Sequence, residues 1–161
     1  MNDIVVCDYS NQAHLKAVIS LINANINDEM GGGTPLSSEK QQQMVDGLAN
    51  HPKAIVLLAQ DTDNFVGVLV AFENYSTFTA QPMINIHDIF VLKKYRGNGI
   101  GRRLMNRIVD EAEKRKCSRL TLEVRKDNVK AQNLYQSLGF EEVNPKMFYW
   151  RKPLEYTNEK D

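Results

Sequence analysis

The stretch from His87 to Arg115, "HDIFVLKKYRGNGIGRRLMNRIVDEAEKR", decides the fold. An apolar run gives way to a charged, periodic run, and Gly97, Gly99 and Gly101 alternate at the junction. A tight strand-to-helix turn uses glycine because glycine tolerates positive φ, and one glycine suffices for that. Three at alternate positions also remove the side chains that would keep a ligand off the backbone. They sit at a helix N-terminus, where N–H groups and the helix dipole favour an anion. The six residues alone leave turn and anion cradle equally open.

After the glycines, Ile100, Leu104, Met105, Ile108, Val109 and Ala112 stripe one face of a helix ending near Lys116. Arg102, Arg103, Arg107, Asp110 and Lys114 occupy the opposite face. Before them, 83–92 reads as a strand apolar on both sides: Ile84, Ile86, Phe90 and Leu92 on one, Ile89 and Val91 on the other. Such a strand is central in its sheet. Towards the N-terminus, 3–9 reads as a strand and 11–26 as a helix, capped by Ser10 or Asn11. The run 31–35 is a flexible break. Ser38 with Gln41 fits a capping box for a second helix reaching about Ala49. The runs 54–60 and 65–73, joined by "DTDN", read as an antiparallel hairpin.

Towards the C-terminus, 119–124 reads as a strand and 128–138 as a helix stopped by Gly139. The runs 140–143 and 147–154 read as a final hairpin. The order is βααβββαβαββ, a mixed α/β fold in one domain over 1–161, with its core at about 3–154.

The 161 residues carry 20 Lys+Arg against 20 Asp+Glu. A balanced charge argues against a nucleic-acid or membrane-surface binder, which calls for a net basic face. No run approaches the 18 or so apolar residues of a bilayer span. The N-terminus lacks the basic n-region and apolar core of a signal peptide. Cys7 and Cys117 form no metal-ligand spacing, so no metal is expected, and two lone thiols suggest a reducing, cytoplasmic compartment. The pattern GxxxxGK(S/T) is absent, and against GxGxxG the third glycine comes one residue early.

At this point the chain resembles the GNAT acyl-CoA N-acyltransferases. Arg96, Gly99 and Gly101 fill the family signature Q/R-x-x-G-x-G/A, and Gly97 adds a commonly seen extra glycine. The block "LTLEVRKDNVKAQNLYQSLGFEE" (120–142) is similar to the family's strand–helix–strand block. Within the family, "INIHDIFVLKKYRGNGIG" (84–101) resembles the spermidine/spermine acetyltransferase-like small-amine branch.

The resemblance implies a mostly antiparallel sheet whose fourth and fifth strands splay apart, with acetyl-CoA as cosubstrate. Backbone groups of Gly97, Asn98, Gly99, Ile100, Gly101 and Arg102 are then expected to hold the pyrophosphate, with Arg96, Arg102 or Arg103 assisting. Ile89, Phe90 and Val91 are expected to pair with the pantetheine arm, and Asn128 and Ala131 to lie along it. Tyr135 is the expected general acid, against the alternative of a core tyrosine beside Ala131, Leu134 and Leu138. His87 and Asp88 stand where that branch carries an acidic pair, and they are the expected base, with His87 replacing the first acid. Glu73, the loop 73–83, and Asp28 with Glu29 are expected at the amine site.

The expected reaction is direct acetyl transfer to the primary amine of a small molecule, polyamine-like, aminoglycoside-like or amino-acid. The alternatives are a protein N-terminal or lysine acetyltransferase, or a non-catalytic acyl-CoA-binding module. Met147, Phe148, Tyr149 and Trp150 crowd one segment, so a large apolar side chain there is expected to face a second copy in a homodimer.

Overall fold

The computed structural model describes residues 3–154, in two compact units that meet in sequence at Asn128 and Val129. In the first unit, β1 (Asp3–Val6) is followed by α1 (Gln12–Ile26), α2 (Ser38–Asn50), β2 (Ala54–Asp61), β3 (Asn64–Ser76) and β4 (Gln81–Val91). A 3-10 turn at Lys93–Tyr95, α3 (Ile100–Lys114) and β5 (Leu120–Leu122) complete it. The second unit holds α4 (Val129–Ser137).

The strands form one sheet in the order β1-β2-β3-β4-β5, antiparallel except for the parallel pair β4–β5. The fold is the expected mixed α/β class. One face carries α1: Val18, Leu21 and Ile22 pack with Val56, Leu58, Val68, Val70 and Phe90. Residues Leu104, Met105 and Ile108 of α3 have no exposed surface. Truncating any of these three to alanine removes about 2–5 kcal/mol of stability.

The caps follow local chemistry. Asn11 Oδ1 accepts from Ala13 N at 2.9 Å and starts α1. Ser37, one residue before the expected Ser38, caps α2 by accepting from Lys40 N at 3.4 Å, while Gln41 Nε2 reaches back to Leu36 O at 2.8 Å. A serine pair offers two cap positions, and the backbone geometry selects one.

Two expectations are corrected. Residues 73–83 are not a loop. β3 and β4 stay paired from Glu73↔Ile84 to Ser76↔Gln81, so only 77–80 turn. Polar residues there do not break the ladder, because an exposed hairpin end needs main-chain pairing more than it needs burial.

The expected final hairpin at 140–143 and 147–154 is also absent: residues 140–154 form no strand. Met147, Phe148, Tyr149 and Trp150 are 75–88% exposed. β-propensity reflects packing on a half-buried pleated surface, and aromatic residues without such a surface lose the reason to pair.

Candidate active site

A bulge in β4 organises the site. Val70 pairs with Asp88 but Ala71 pairs with Ile86, so His87 has no partner on β3. Alternation along a strand sends neighbours to opposite faces; the extra residue breaks it. The His87 ring lies edge-on to Phe72, centroids 5.7 Å apart, and Phe72 packs with the α1-side core. Asp88 Oδ1 accepts from Asn25 Nδ2 of α1 at 3.3 Å. Both side chains therefore face α1. The same phase change corrects the expected strand faces. Ile84 pairs with Glu73, whose carboxylate meets Arg115 after α3, whereas Phe90 and Leu92 join the α1-side core.

The two side chains differ in surroundings. His87 is exposed and Asp88 half-buried. Burial pushes the Asp88 carboxyl above its usual range, and the neighbouring His87 pulls it back in part. A carboxyl raised in this way holds a proton better than an ordinary aspartate, which suits a group that must take one up.

The β4 edge opens just beyond the bulge. β5 pairs with β4 only over Ile84↔Leu120, Asn85↔Thr121 and Ile86↔Leu122. From His87 to Val91, β4 runs on without a ladder partner on that edge among the described residues. Ile89, Phe90 and Val91 thus present main chain there. Parallel strands that share three rungs and then part are the expected splay.

The glycine turn follows. Gly97 and Gly99 have φ of +85° and +74°, values that side chains disfavour. A Cβ on either would meet nothing within 4 Å, so the space in front of the turn is open. Gly99 is the N-cap of α3 and supplies no capping side chain. The first N–H groups of a helix lack intrahelical carbonyls, which makes a helix start suited to an anion. Arg103 Nη2 donates to Asn98 O at 3.4 Å, while its Nε is buried without a hydrogen-bond partner. A buried guanidinium donor without an acceptor, beside an uncapped helix start, fits an anionic group such as a diphosphate.

Arg96, expected at the cofactor, has other partners. Its Nη2 donates to Asp28 Oδ2 at 2.8 Å, its Nε to Val91 O at 2.8 Å, and the guanidinium lies 5.3 Å from the Phe90 ring centroid. Burial pushes the carboxyl of Asp28, expected at the amine site, upward, but Arg96, the Met30 amide and Lys93 together outweigh it and hold the group below the usual carboxylate range. Glu29 is exposed.

Glu73 is likewise engaged. Lys53 Nζ and Arg115 Nη1 both donate to its carboxylate, the latter at 2.9 Å, and hold its pKa down. It faces α3, the opposite side from Asp88.

Within the second unit, Tyr135 is buried and its ring lies 6.1 Å from that of Phe140. Burial raises the Tyr135 hydroxyl pKa. Ala131 stands one turn earlier on α4, and Asn128 closes the first unit with its N–H on Arg125 O at 3.0 Å. Asn25 is the functional candidate that sequence reasoning missed. Its signal was available: Val18, Leu21 and Ile22 define the buried stripe of α1, and position 25 continues it with an amide.

The family model of the acetyltransferase (GNAT) family matches residues 21–140. The chain belongs to the GNAT acetyltransferase family. It is 30% identical over 95 residues to the uncharacterized N-acetyltransferase YhfO of Bacillus subtilis, covering 59% of this chain and 63% of that one. It is 36% identical over 78 residues to the thialysine N-epsilon-acetyltransferase of Mus musculus, covering 48% and 45%. The chain thus spans about half to under two thirds of the length of these curated relatives.

The fold is shared with the crystal structure of a probable acetyltransferase at TM-score 0.82, 18% identity, covering 96% of this chain and 99% of that one. It is also shared with AAC(6')-Iy in complex with a bisubstrate analogue, CoA-S-monomethyl-acetylneamine, at TM-score 0.76, 18% identity and coverage of 95% and 99%. Among the described residues no cluster of His, Cys, Asp or Glu is arranged to hold a metal, and no helix is long and apolar enough to cross a membrane.

Proposed function

We propose that this chain is an acetyl-CoA-dependent N-acetyltransferase acting on the primary amine of a small molecule. The observation that carries this reading is the bare edge of β4. It starts at the bulge that holds His87 and Asp88 and runs to an open glycine turn at the uncapped start of α3. A long acyl carrier with an anionic end matches that arrangement: main chain for amides, then N–H groups for phosphates.

In this reading the backbone of Gly97–Arg102 and the Arg103 Nε hold the diphosphate, and Ile89–Val91 hold the arm. Bound acetyl-CoA supplies an activated acyl group. Arg96 shapes the site by tying Asp28 to the end of β4 rather than by binding phosphate. A primary ammonium with a pKa near 10.4 leaves about one molecule in a thousand or fewer as free base at pH 7. Asp88 and the exposed His87 beside it take the proton from the incoming amine. Tyr135, kept protonated by burial, supplies the proton that the departing sulfur requires. Stabilising charge on the thioester oxygen calls for a positioned donor, which the unpaired main chain at the bulge is suited to provide.

The thialysine enzyme among the relatives supports a terminal amine as acceptor, and the half-buried Asp88 carboxyl suits a cation. Further partners fit the same reading: a second copy of the chain against the exposed Met147–Trp150 segment, and a cytoplasmic setting where acetyl-CoA is made and used. The test is a thiol-release assay with acetyl-CoA and a panel of polyamines, aminoglycosides, amino acids and peptides. Turnover with a small amine is the expected result. Binding of acetyl-CoA without turnover on any acceptor overturns the enzymatic reading, and turnover on peptides alone overturns the small-molecule one.

A further inference from the structure

We infer that Asn25 is a positioning residue for Asp88: its Nδ2 donates to Asp88 Oδ1 at 3.3 Å and fixes the orientation in which that carboxylate receives a proton. The inference rests on the acetyltransferase reading above and adds a residue to it. The starting point is the pattern of α1. Val18, Leu21 and Ile22 are 1%, 2% and 8% exposed, and the i, i+3, i+4, i+7 spacing from Val18 lands on Asn25. An apolar side chain belongs there. An amide turned towards the sheet costs free energy unless it is hydrogen-bonded, and asparagine is a poor helix former besides. The partner that offsets both is Asp88, reached across 63 residues of sequence.

The end of α1 is built to hold that amide still. Asn27 N and Asp28 N both donate to Asn25 O. The chain then folds back so closely that a Cβ on Gly31 would lie 2.0 Å from Asn25 O. Gly33 N donates to Ile26 O at 2.9 Å, and Leu36 N to Asn23 Oδ1 at 2.8 Å. The glycine run therefore wraps the helix end tightly, and only a residue without a side chain fits at position 31. Arg96, just after the 3-10 turn that follows β4, pins the same segment through Asp28.

Few charges compete for Asp88. His87 on its own strand is the titratable group acting on it; α1 presents the uncharged Asn25, and β3 presents its register partner Val70. Removing the amide donor should therefore favour the protonated acid, in the same direction as burial.

The experiment titrates the Asp88 side-chain carboxyl by carbon-13 NMR in the full chain, for wild type, Asn25→Ala and Asn25→Leu. Leucine continues the apolar stripe, so that variant folds even if the alanine one does not. The Asp88 midpoint is expected to rise by about one pH unit in either. The acidic limb of kcat/KM is expected to move with it, while the Kd of acetyl-CoA stays unchanged. An unmoved midpoint in a folded variant overturns the inference. A midpoint that moves in a protein without amine turnover keeps the Asn25–Asp88 coupling and overturns the acetyltransferase reading instead, so the two failures are distinct.

Discussion

His87 and Asp88 are neighbours in sequence, yet both face α1, because the β4 bulge opposite Val70 and Ala71 leaves His87 unpaired. A regular strand would have sent one of them towards α3. The pair meets the acceptor together, and their pH dependence follows. Burial raises the pKa of Asp88, and the form that accepts a proton is the carboxylate. Activity should therefore fall as pH drops through a value above the ordinary carboxylate range. Asp88→Asn is expected to abolish that limb and lower kcat by about 10²–10⁴-fold. His87→Ala should move the limb to higher pH, because it removes the neighbouring charge that pulls the Asp88 pKa down, and Glu73→Ala should leave the limb in place. Rate profiles of the three variants check this.

Gly101→Glu is expected to abolish acetyl-CoA binding in a folded protein. Gly101 takes no positive φ, so the substitution adds charge and bulk without backbone strain. Gly99 is left-handed, and Gly99→Ala should weaken binding through strain alone. Calorimetry on both separates charge from conformation; unchanged affinity in the glutamate variant removes the turn from the cofactor site.

Tyr135→Phe keeps the ring beside Phe140 and deletes only the hydroxyl. If that hydroxyl is the acid, kcat falls by about 10²–10⁴-fold while the Kd of acetyl-CoA changes little. Near wild-type turnover, measured by thiol release, returns Tyr135 to a packing role.

Glu73→Gln tests a structural role. Hydrogen bonds from Lys53 and Arg115 lower the Glu73 pKa. A depressed carboxyl contributes stability that is fully present above the unfolded-state value of about 4.3 and is lost as pH falls through the lower folded value. The variant should lose about 1 kcal/mol or less at pH 7, because exposed Lys53 and Arg115 leave the pairs screened by solvent, with the difference from wild type shrinking in strong acid. Urea titrations at the two pH values measure it, and turnover should be unaffected.

The Met147–Trp150 segment predicts self-association. Light scattering should give twice the chain mass, and replacing Phe148 and Trp150 by serine should return the monomer mass. A wild-type monomer at working concentration counts against the dimer.

The sequence by itself determined the helices and the main strands. The periodicity of Ile100–Ala112, a cap at Ser10 or Asn11 and the alternate glycines are local properties, and each holds in the structure, with Asn11 as the cap. It also determined the family, because Arg96, Gly99 and Gly101 keep their spacing within one turn.

Tertiary structure decided what crosses the chain. The bulge at His87 depends on how β3 registers against β4, and no property of "INIHDIF" alone shows it. The engagement of Glu73 by Lys53 and Arg115, and of Asp28 by Arg96, needs partners distant in sequence. Asn25 reads as an interruption of a stripe until Asp88 is placed opposite it. The aromatic run 147–150 reads as a strand until its exposure shows that it is not packed among the described residues. In each case a local propensity of under about 1 kcal/mol is outweighed by pairing, burial or charge that only the assembled fold brings together.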